Sequence, residues 1–271
     1  MVMGPTHAMS GAGAGLAIGA FLPVEWGGAT SPTEVLVFAG VTAGAALLPD
    51  LDTPQSTLAR SFGLASRALA HITERVSKTI YDLTMTRKDA RISNGHRTAT
   101  HTLWFALLAG AGTAALVSAF GKNGAIGVLF FMLGLAIRGL APNWAKKQDW
   151  IYVTGLSLAL AVAVWFALPA SVGSAALGAA VTAGVAMHLL GDVITKRGVP
   201  LLGGVVSIGG ERWWNFRLPG PLRIRAGAGM DRMLAAACTG VTVVLAYCVV
   251  RAPHLIGAPW VAGTFHGDGV R

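Results

Sequence analysis

Eight side chains in this sequence are of types that could share one chemical task. Two imidazoles and a guanidinium fall in the stretch His96-Arg97-Thr98-Ala99-Thr100-His101-Thr102, where a basic segment gives way to the apolar run 103–120. Asp50 and Asp52 lie two apart between Pro49 and Pro54 at the end of another apolar run. His188 and Asp192 are spaced i,i+4, which puts them on one helix face. His7 stands just before the first apolar run. Imidazole is the commonest metal ligand, and ionisable groups beside hydrocarbon point to function by default. Each piece also has a plainer reading: a helix-end anchor at His96 or His101, a polar stop at Asp50/Asp52, a solvated terminus at His7.

Together these residues suit a divalent cation. Mixed histidine and carboxylate ligands favour Zn²⁺, with Mn²⁺ or Fe²⁺ as alternatives, over Ca²⁺ or Mg²⁺. The candidate ligands are His7, Asp50, Asp52, His96, His101, His188 and Asp192, enough for one ion or two. An ion with an open position makes a nucleophile of water at neutral pH. Asp52 or Asp192 could serve as general base or as partner to a ligand. Arg97, with Lys196 or Arg197, could hold a phosphate or carboxylate through a fork of donors. His96 and His101 are five apart, so both reach one ion only if His96 lies in the turn before the helix. No serine-nucleophile motif is present, which leaves attack by water as the economical chemistry.

Composition limits the setting. The 271 residues are 54% hydrophobic and 12% charged, with mean hydropathy +0.60. Soluble domains carry about 25% charged residues, so the chain is expected in lipid. The formal net charge of +9 then speaks for anionic lipid before nucleic acid. Cys238 and Cys248 are ten apart in one apolar run, roughly 15 Å along a helix, too far for a disulfide. The N-terminus lacks a basic n-region and a cleavage site, so no removable signal is expected.

Seven apolar runs, 8–22, 34–48, 103–120, 125–140, 150–168, 175–190 and 233–250, read as membrane helices. Pro23 and Pro169 close two of them. Gly11, Gly15 and Gly19, then Gly40 and Gly44, recur every fourth residue and give flat faces for close packing in lipid. No strand precedes the first set, which excludes a nucleotide-binding loop. Leu58, Phe62, Ala65, Leu69, Ile72, Val76, Ile80 and Leu83 form one face of an amphipathic helix whose other side carries Arg60, Arg67, Arg75 and Lys78. Such a helix suits an anionic membrane surface; packing with a solvated charged face is the alternative. Residues 84–94 read as a mobile basic linker. Arg138 either snorkels or faces the polar groups. The stretch 199–231, rich in Gly, Pro and Arg with Trp213, Trp214 and Phe216, reads as an interfacial loop.

An up-down order of seven helices tests the grouping without any motif. His7 opens the first, Asp50/Asp52 close the second, His96/His101 open the third and His188/Asp192 close the sixth, so all share one membrane face. That face holds 18 of the 21 lysines and arginines. The positive-inside rule makes it cytoplasmic.

The order Thr6-His7, Pro49-Asp50-Leu51-Asp52 with Ser56, His96-Arg97 with Thr100-His101, and His188 with Asp192 and Gly198 resembles the YdjM family. These are bacterial inner-membrane proteins assigned as metal-dependent hydrolases on sequence grounds, with a LexA-regulated founding member. The resemblance covers residues 1–202 and carries the family's polar signature onto His7, Asp50, Asp52, His96, Arg97, His101, His188 and Asp192. Thr98 and Thr102 depart from the His-Arg-Gly and Thr-His-Ser that family members often show. Leu202-Gly203-Gly204 stands where an aromatic is often found, and the basic loop 205–231 is an elaboration.

The sequence therefore predicts an all-α membrane bundle of about seven spans plus an amphipathic interfacial helix. Residues 1–202 form the hydrolase-like unit; 203–271 add the basic loop, a last span and a short tail. The expected activity is metal-dependent hydrolysis of an ester or phosphoester, with membrane lipids as partners and Asp52, Arg97 and Asp192 as catalytic groups. The rival class is a non-enzymatic metal-binding membrane protein, for cation transport or membrane stress. Specific nucleic-acid binding is not expected.

Overall fold

A computed structural model describes residues 3–22, 29–167 and 173–257. Pro23, Pro169 and the tail beyond 257 lie outside the described residues. Eight α-helices are present among them: α1 (Gly4–Phe21), α2 (Pro32–Ala45), α3 (Gly63–Thr84), α4 (Leu103–Leu140), α5 (Pro142–Lys147), α6 (Trp150–Ala167), α7 (Ser174–Val193) and α8 (Gly229–Arg251). No strand occurs among the described residues; the loop after α7 makes only isolated bridges, such as Val199 with Phe216. Five helical stretches, 32–52 and α4, α6, α7 and α8, are long and apolar enough to cross a membrane.

α4 accounts for two of the expected spans. Its 38 residues would reach about 57 Å if straight, nearly twice a hydrocarbon core. Instead Gly121 takes φ 54° and ψ −133° and the chain folds back. A Cβ on Gly124 would lie 2.7 Å from the carbonyl oxygen of Leu116, eight residues earlier, which is impossible in a continuous helix. The turn expected at 121–124 is therefore a hairpin.

α2 lies at the centre, against α1, α4 and α7. Ser31 starts it by accepting from the Glu34 amide (3.3 Å), while the Glu34 carboxylate accepts from the Thr30 amide (2.7 Å). The glycine stripes do what their spacing predicts. A Cβ on Gly11 or Gly15 would press on Ala46, Thr42 and Ala39 of the α2 segment, and one on Gly44 would collide with the Met132 backbone in α4. α8 packs on α1 through the Thr242 hydroxyl, which donates to the Met9 carbonyl at 3.1 Å. Its first turn carries Asp231, fully buried, which accepts from the Thr6 hydroxyl and the Met3 and Gly227 amides.

Two local expectations change, at His7 and at residues 84–94. α1 begins at Gly4, so His7 sits inside its first turn and is fully buried, because Pro5 starts the helix early. Residues 84–94 are pinned rather than mobile: Asp89 accepts from the Arg212 and Trp213 amides across the loop. α3 packs through Ser66, Ala70, Ser77 and Tyr81, small groups and one ring, while Leu69, Ile72, Val76 and Leu83 of its apolar face stay exposed. Arg138 donates to the carbonyls of Ala145 and Arg60 and lines, with Asp50, a cavity at the same end of the bundle.

Candidate metal centre

Four chain segments deliver the polar residues to one end of the bundle. α1 brings His7; a 3-10 turn after α2 (Pro49–Asp52) brings Asp50 and Asp52. The turn after α3 holds His96 and Arg97, and a 3-10 turn (Ala99–His101) just before α4 holds His101. The last turns of α7 supply His188 and Asp192. The non-helical backbone around residue 97 lets two histidines five apart turn to one place. Arg97 is the only non-glycine residue with positive φ among the described residues (60°), a conformation that costs on the order of 1–3 kcal/mol and needs strong neighbours to hold it.

Those neighbours are carboxylates. Asp52 Oδ2 accepts from the Arg97 amide (3.2 Å) and the Thr100 hydroxyl (2.6 Å). The Arg97 guanidinium pairs with Asp192 Oδ2 at 2.6 Å and donates to the Gly198 carbonyl at 3.2 Å. Burial pushes this guanidinium's pKa down, Asp192 opposes the shift, and the nearby charge of Arg197 adds to it.

Hydrogen bonds on the outer ring nitrogens set the tautomers of two histidines. His188 Nδ1 lies 2.8 Å from the Ala46 carbonyl oxygen, which can only accept, so Nδ1 carries the proton. His101 Nδ1 faces Asp52 Oδ2 at 3.4 Å and the Thr100 hydroxyl, whose own proton goes to Asp52. Both rings therefore aim the Nε2 lone pair inward, and the two Nε2 atoms stand 3.2 Å apart. Two lone pairs cannot satisfy each other; a cation or an added proton is needed between them. Asp50 Oδ1 lies 3.9 Å from His101 Nε2 and 3.8 Å from His188 Nε2. Asp192 Oδ2 lies 3.8 and 3.9 Å from the same two atoms. Tetrahedral zinc ligands at ~2.0–2.1 Å stand roughly 3.3 Å from one another; the two Nε2 atoms match that spacing, and the nitrogen–carboxylate separations of 3.8–3.9 Å are slightly wider.

The donor set fits a divalent cation in charge as well. Asp50, Asp52 and Asp192 are buried with a single guanidinium, Arg97, and three imidazoles, His7, His101 and His188, with the half-buried His96 at their edge. With neutral imidazoles the formal surplus is two negative charges, which a water-poor site cannot hold unpaired. Asp50 Oδ1 and His7 Nδ1 are buried with no hydrogen-bond partner among the described residues. His7 stacks on His188 (centroids 3.9 Å apart) and brings Nε2 to 3.5 Å from Asp192 Oδ1. Three overlapping triads, His7/Asp50/His188, Asp50/His96/His101 and His101/His188/Asp192, each hold ligand atoms within 4.8 Å of one another.

Asp52 and His96 differ from the rest. Asp52 Oδ1 is 2.6 Å from His96 Nδ1, and Oδ2 is already taken by Arg97 and Thr100, so Asp52 is committed to orienting its neighbours. The His96 side chain is 18% exposed, the most open of the four clustered imidazoles, and it lines a cavity of about 540 Å³ outside the cluster. A second cavity, about 550 Å³, reaches Asp50 between the starts of α1 and α5.

A family model described as YdjM inner membrane protein matches residues 1–141. The chain belongs to this family. No curated protein and no solved structure matches it. In this YdjM-family protein six of the eight polar residues, His7 through His101, lie in the matched part. His188 and Asp192 come from α7, beyond it, yet complete the same cluster. Family membership and the apolar helices make it a membrane protein.

Sequence reasoning missed several supporting groups. Thr100 was visible only as part of the histidine stretch. Asp231, which ties α8 to the turn bearing His7, and Asp89, which ties 84–94 to the loop after α7, are lone acids in basic surroundings and carry no motif.

Proposed function

We propose that this protein is a metal-dependent hydrolase of esters or phosphoesters, lipids among them, working at the cytoplasmic face of the inner membrane. The convergence of two imidazole lone pairs and two carboxylate oxygens from three chain segments carries the reading. His101, His188, Asp50 and Asp192 are the ligands in this proposal, with zinc the best match to the donor set and manganese or iron the alternatives. His7 is a further ligand or a buttress to His188. A bound ion of this kind supplies Lewis acidity and activates water at neutral pH.

The chain's own groups do the rest. Asp52 holds His96 by Nδ1, leaving Nε2 with no hydrogen-bond partner among the described residues on a ring that lines the cavity. His96 is thus placed to take a proton from the attacking water and return it to the leaving oxygen. Arg97 fixes Asp192 and stands at the cavity wall, where it can steady negative charge. The basic segments flanking the site support the cytoplasmic assignment, and the exposed apolar face of α3 suits the lipid surface beside it. Ligands at helix ends, rather than at the midplane on broken helices, favour an interfacial enzyme over a transporter.

The deciving test is elemental analysis of detergent-purified protein beside His101→Ala and Asp50→Ala, followed by a phosphoester and lipid-ester screen. Near-stoichiometric Zn, Mn or Fe lost in both variants, with turnover by the loaded wild type, is the expected result. Wild type that takes up no metal under several loading conditions would overturn the hydrolase reading.

A further inference from the structure

The cavity outside His96 has walls from three places: the 84–92 segment after α3, the turn at 96–98, and the loop after α7. Its lining carries four cations, Lys88, Arg97, Arg197 and Arg217, against two carboxylates, Asp89 and Glu211. Asp89 is spent on backbone: it accepts from the amides of Thr86, Arg212 and Trp213. Arg97 is matched by Asp192. Lys88, Arg197 and Arg217 have no ion-pair partner among the described residues. Arg97 and Arg197 both line the cavity. Like charges held together in a concave site focus a positive field that draws in an anion.

From this arrangement we infer that the cavity is an anion subsite that receives a phosphomonoester, held by the guanidiniums of Arg197 and Arg217 and the Lys88 ammonium, the three cations of its walls left without an ion-pair partner among the described residues. The inference rests on the hydrolase reading for what happens next, but not for binding. Guanidiniums recognise phosphate by paired parallel hydrogen bonds, which a neutral ester cannot offer. Arg97 and His96 form both the cavity floor and the edge of the metal cluster. A phosphate seated by Arg197 and Arg217 is therefore delivered at the His96 side of the cluster. The same chemistry is offered by a soluble sugar or glycerol phosphate and by a phosphatidate headgroup at the membrane surface.

The test is calorimetric titration of the full-length protein in detergent with glycerol 1-phosphate, with glycerol as the neutral control, on metal-loaded and chelated samples. Wild type is expected to bind glycerol 1-phosphate and not glycerol. The Arg197→Ala/Arg217→Ala double variant is expected to bind on the order of tenfold more weakly per guanidinium removed. Arg197→Lys/Arg217→Lys should recover part of that loss, and Lys122→Ala, at the α4 turn, should lose none. His101→Ala is expected to keep binding, which separates this subsite from the metal reading. Tighter binding of phosphatidate in the same micelles would support the subsite and identify the lipid as its source. Equal affinity in wild type and the double alanine variant, or no binding by wild type in either metal state, would overturn the subsite. Binding without turnover of any phosphoester would keep it and remove the hydrolase reading instead.

Discussion

His101 Nε2 and His188 Nε2 meet at 3.2 Å, and each ring's other nitrogen is already committed, to Asp52 and to the Ala46 carbonyl. The rings are 87 residues apart in the sequence, one before α4 and one on α7. Such an encounter is unfavourable unless something positive stands between them. Metal binding is then also folding energy, since the unfolded chain has no such site.

Chelation is accordingly expected to lower the thermal midpoint. At a free metal concentration of about one hundred times Kd, a bound ion contributes about 2.7 kcal/mol. Stripping wild type with a chelator should lower the unfolding temperature by several degrees, measured by intrinsic fluorescence in detergent, with recovery on adding Zn²⁺. His101→Ala and His188→Ala should start lower and show no further response to chelator. Equal responses in wild type and variants would remove both rings from the ligand set.

Asp52 and His96 should separate metal binding from proton transfer. His96→Gln preserves the ring's approximate volume but cannot carry a proton, so kcat is expected to fall about 10²–10⁴-fold while metal content stays near that of wild type. Asp52→Asn disturbs both His101 and His96, and about a 10–100-fold loss in metal affinity or turnover is expected. Elemental analysis beside steady-state kinetics distinguishes the two. A His96→Gln protein that loses its metal would make His96 a ligand.

Asp89 gives a pH signature remote from the metal. Although burial alone would raise its pKa, the backbone amides of Thr86, Trp213 and Arg212 hold its carboxyl below the usual aspartate value of about 4. A depressed carboxylate contributes stability that is fully present above the unfolded value and disappears as pH falls through the folded one. The contact between 84–94 and the loop after α7 should therefore loosen only below about pH 4. Trp213, packed on Tyr81 with ring centroids 4.9 Å apart, is a local reporter. Its fluorescence should change in that acid range in wild type, while Asp89→Asn should show the loosened signal already at neutral pH.

Much of this architecture was legible because lipid simplifies the code. Apolar runs gave the helices, four-residue glycine spacing gave the α1–α2 and α2–α4 contacts, and crossing parity put His7, Asp50, His101 and His188 at one end. What stayed hidden depends on contacts between distant backbone segments. The amphipathic pattern of α3 marked an apolar face, yet the helix packs through its small residues, because periodicity reports polarity and not which side meets protein. Asp231 and Asp89 serve amides, and a carboxylate that binds backbone leaves no spacing to read. The 3-10 turns that aim Asp50 and His101 depend on tertiary capture, including the left-handed Arg97, which no local propensity favours.

Gly44 links packing to the site and supplies a final test. A Cβ there would strike the Met132 backbone of α4, where neither side can give way by rotating a side chain. Gly44 also lies two residues before Ala46, whose carbonyl fixes the His188 ring. Gly44→Ala is expected to cost about 1–3 kcal/mol as an overpacked contact and to weaken metal binding by displacing that carbonyl. Gly127→Ala, on α4 with no atom within 4 Å of the added Cβ, is the matched control. It should be neutral or stabilising by up to about 1 kcal/mol, from helix propensity alone. Thermal unfolding and metal titration of both variants check the pair. Equal behaviour of the two would mean that close helix approach at Gly44 does not position His188.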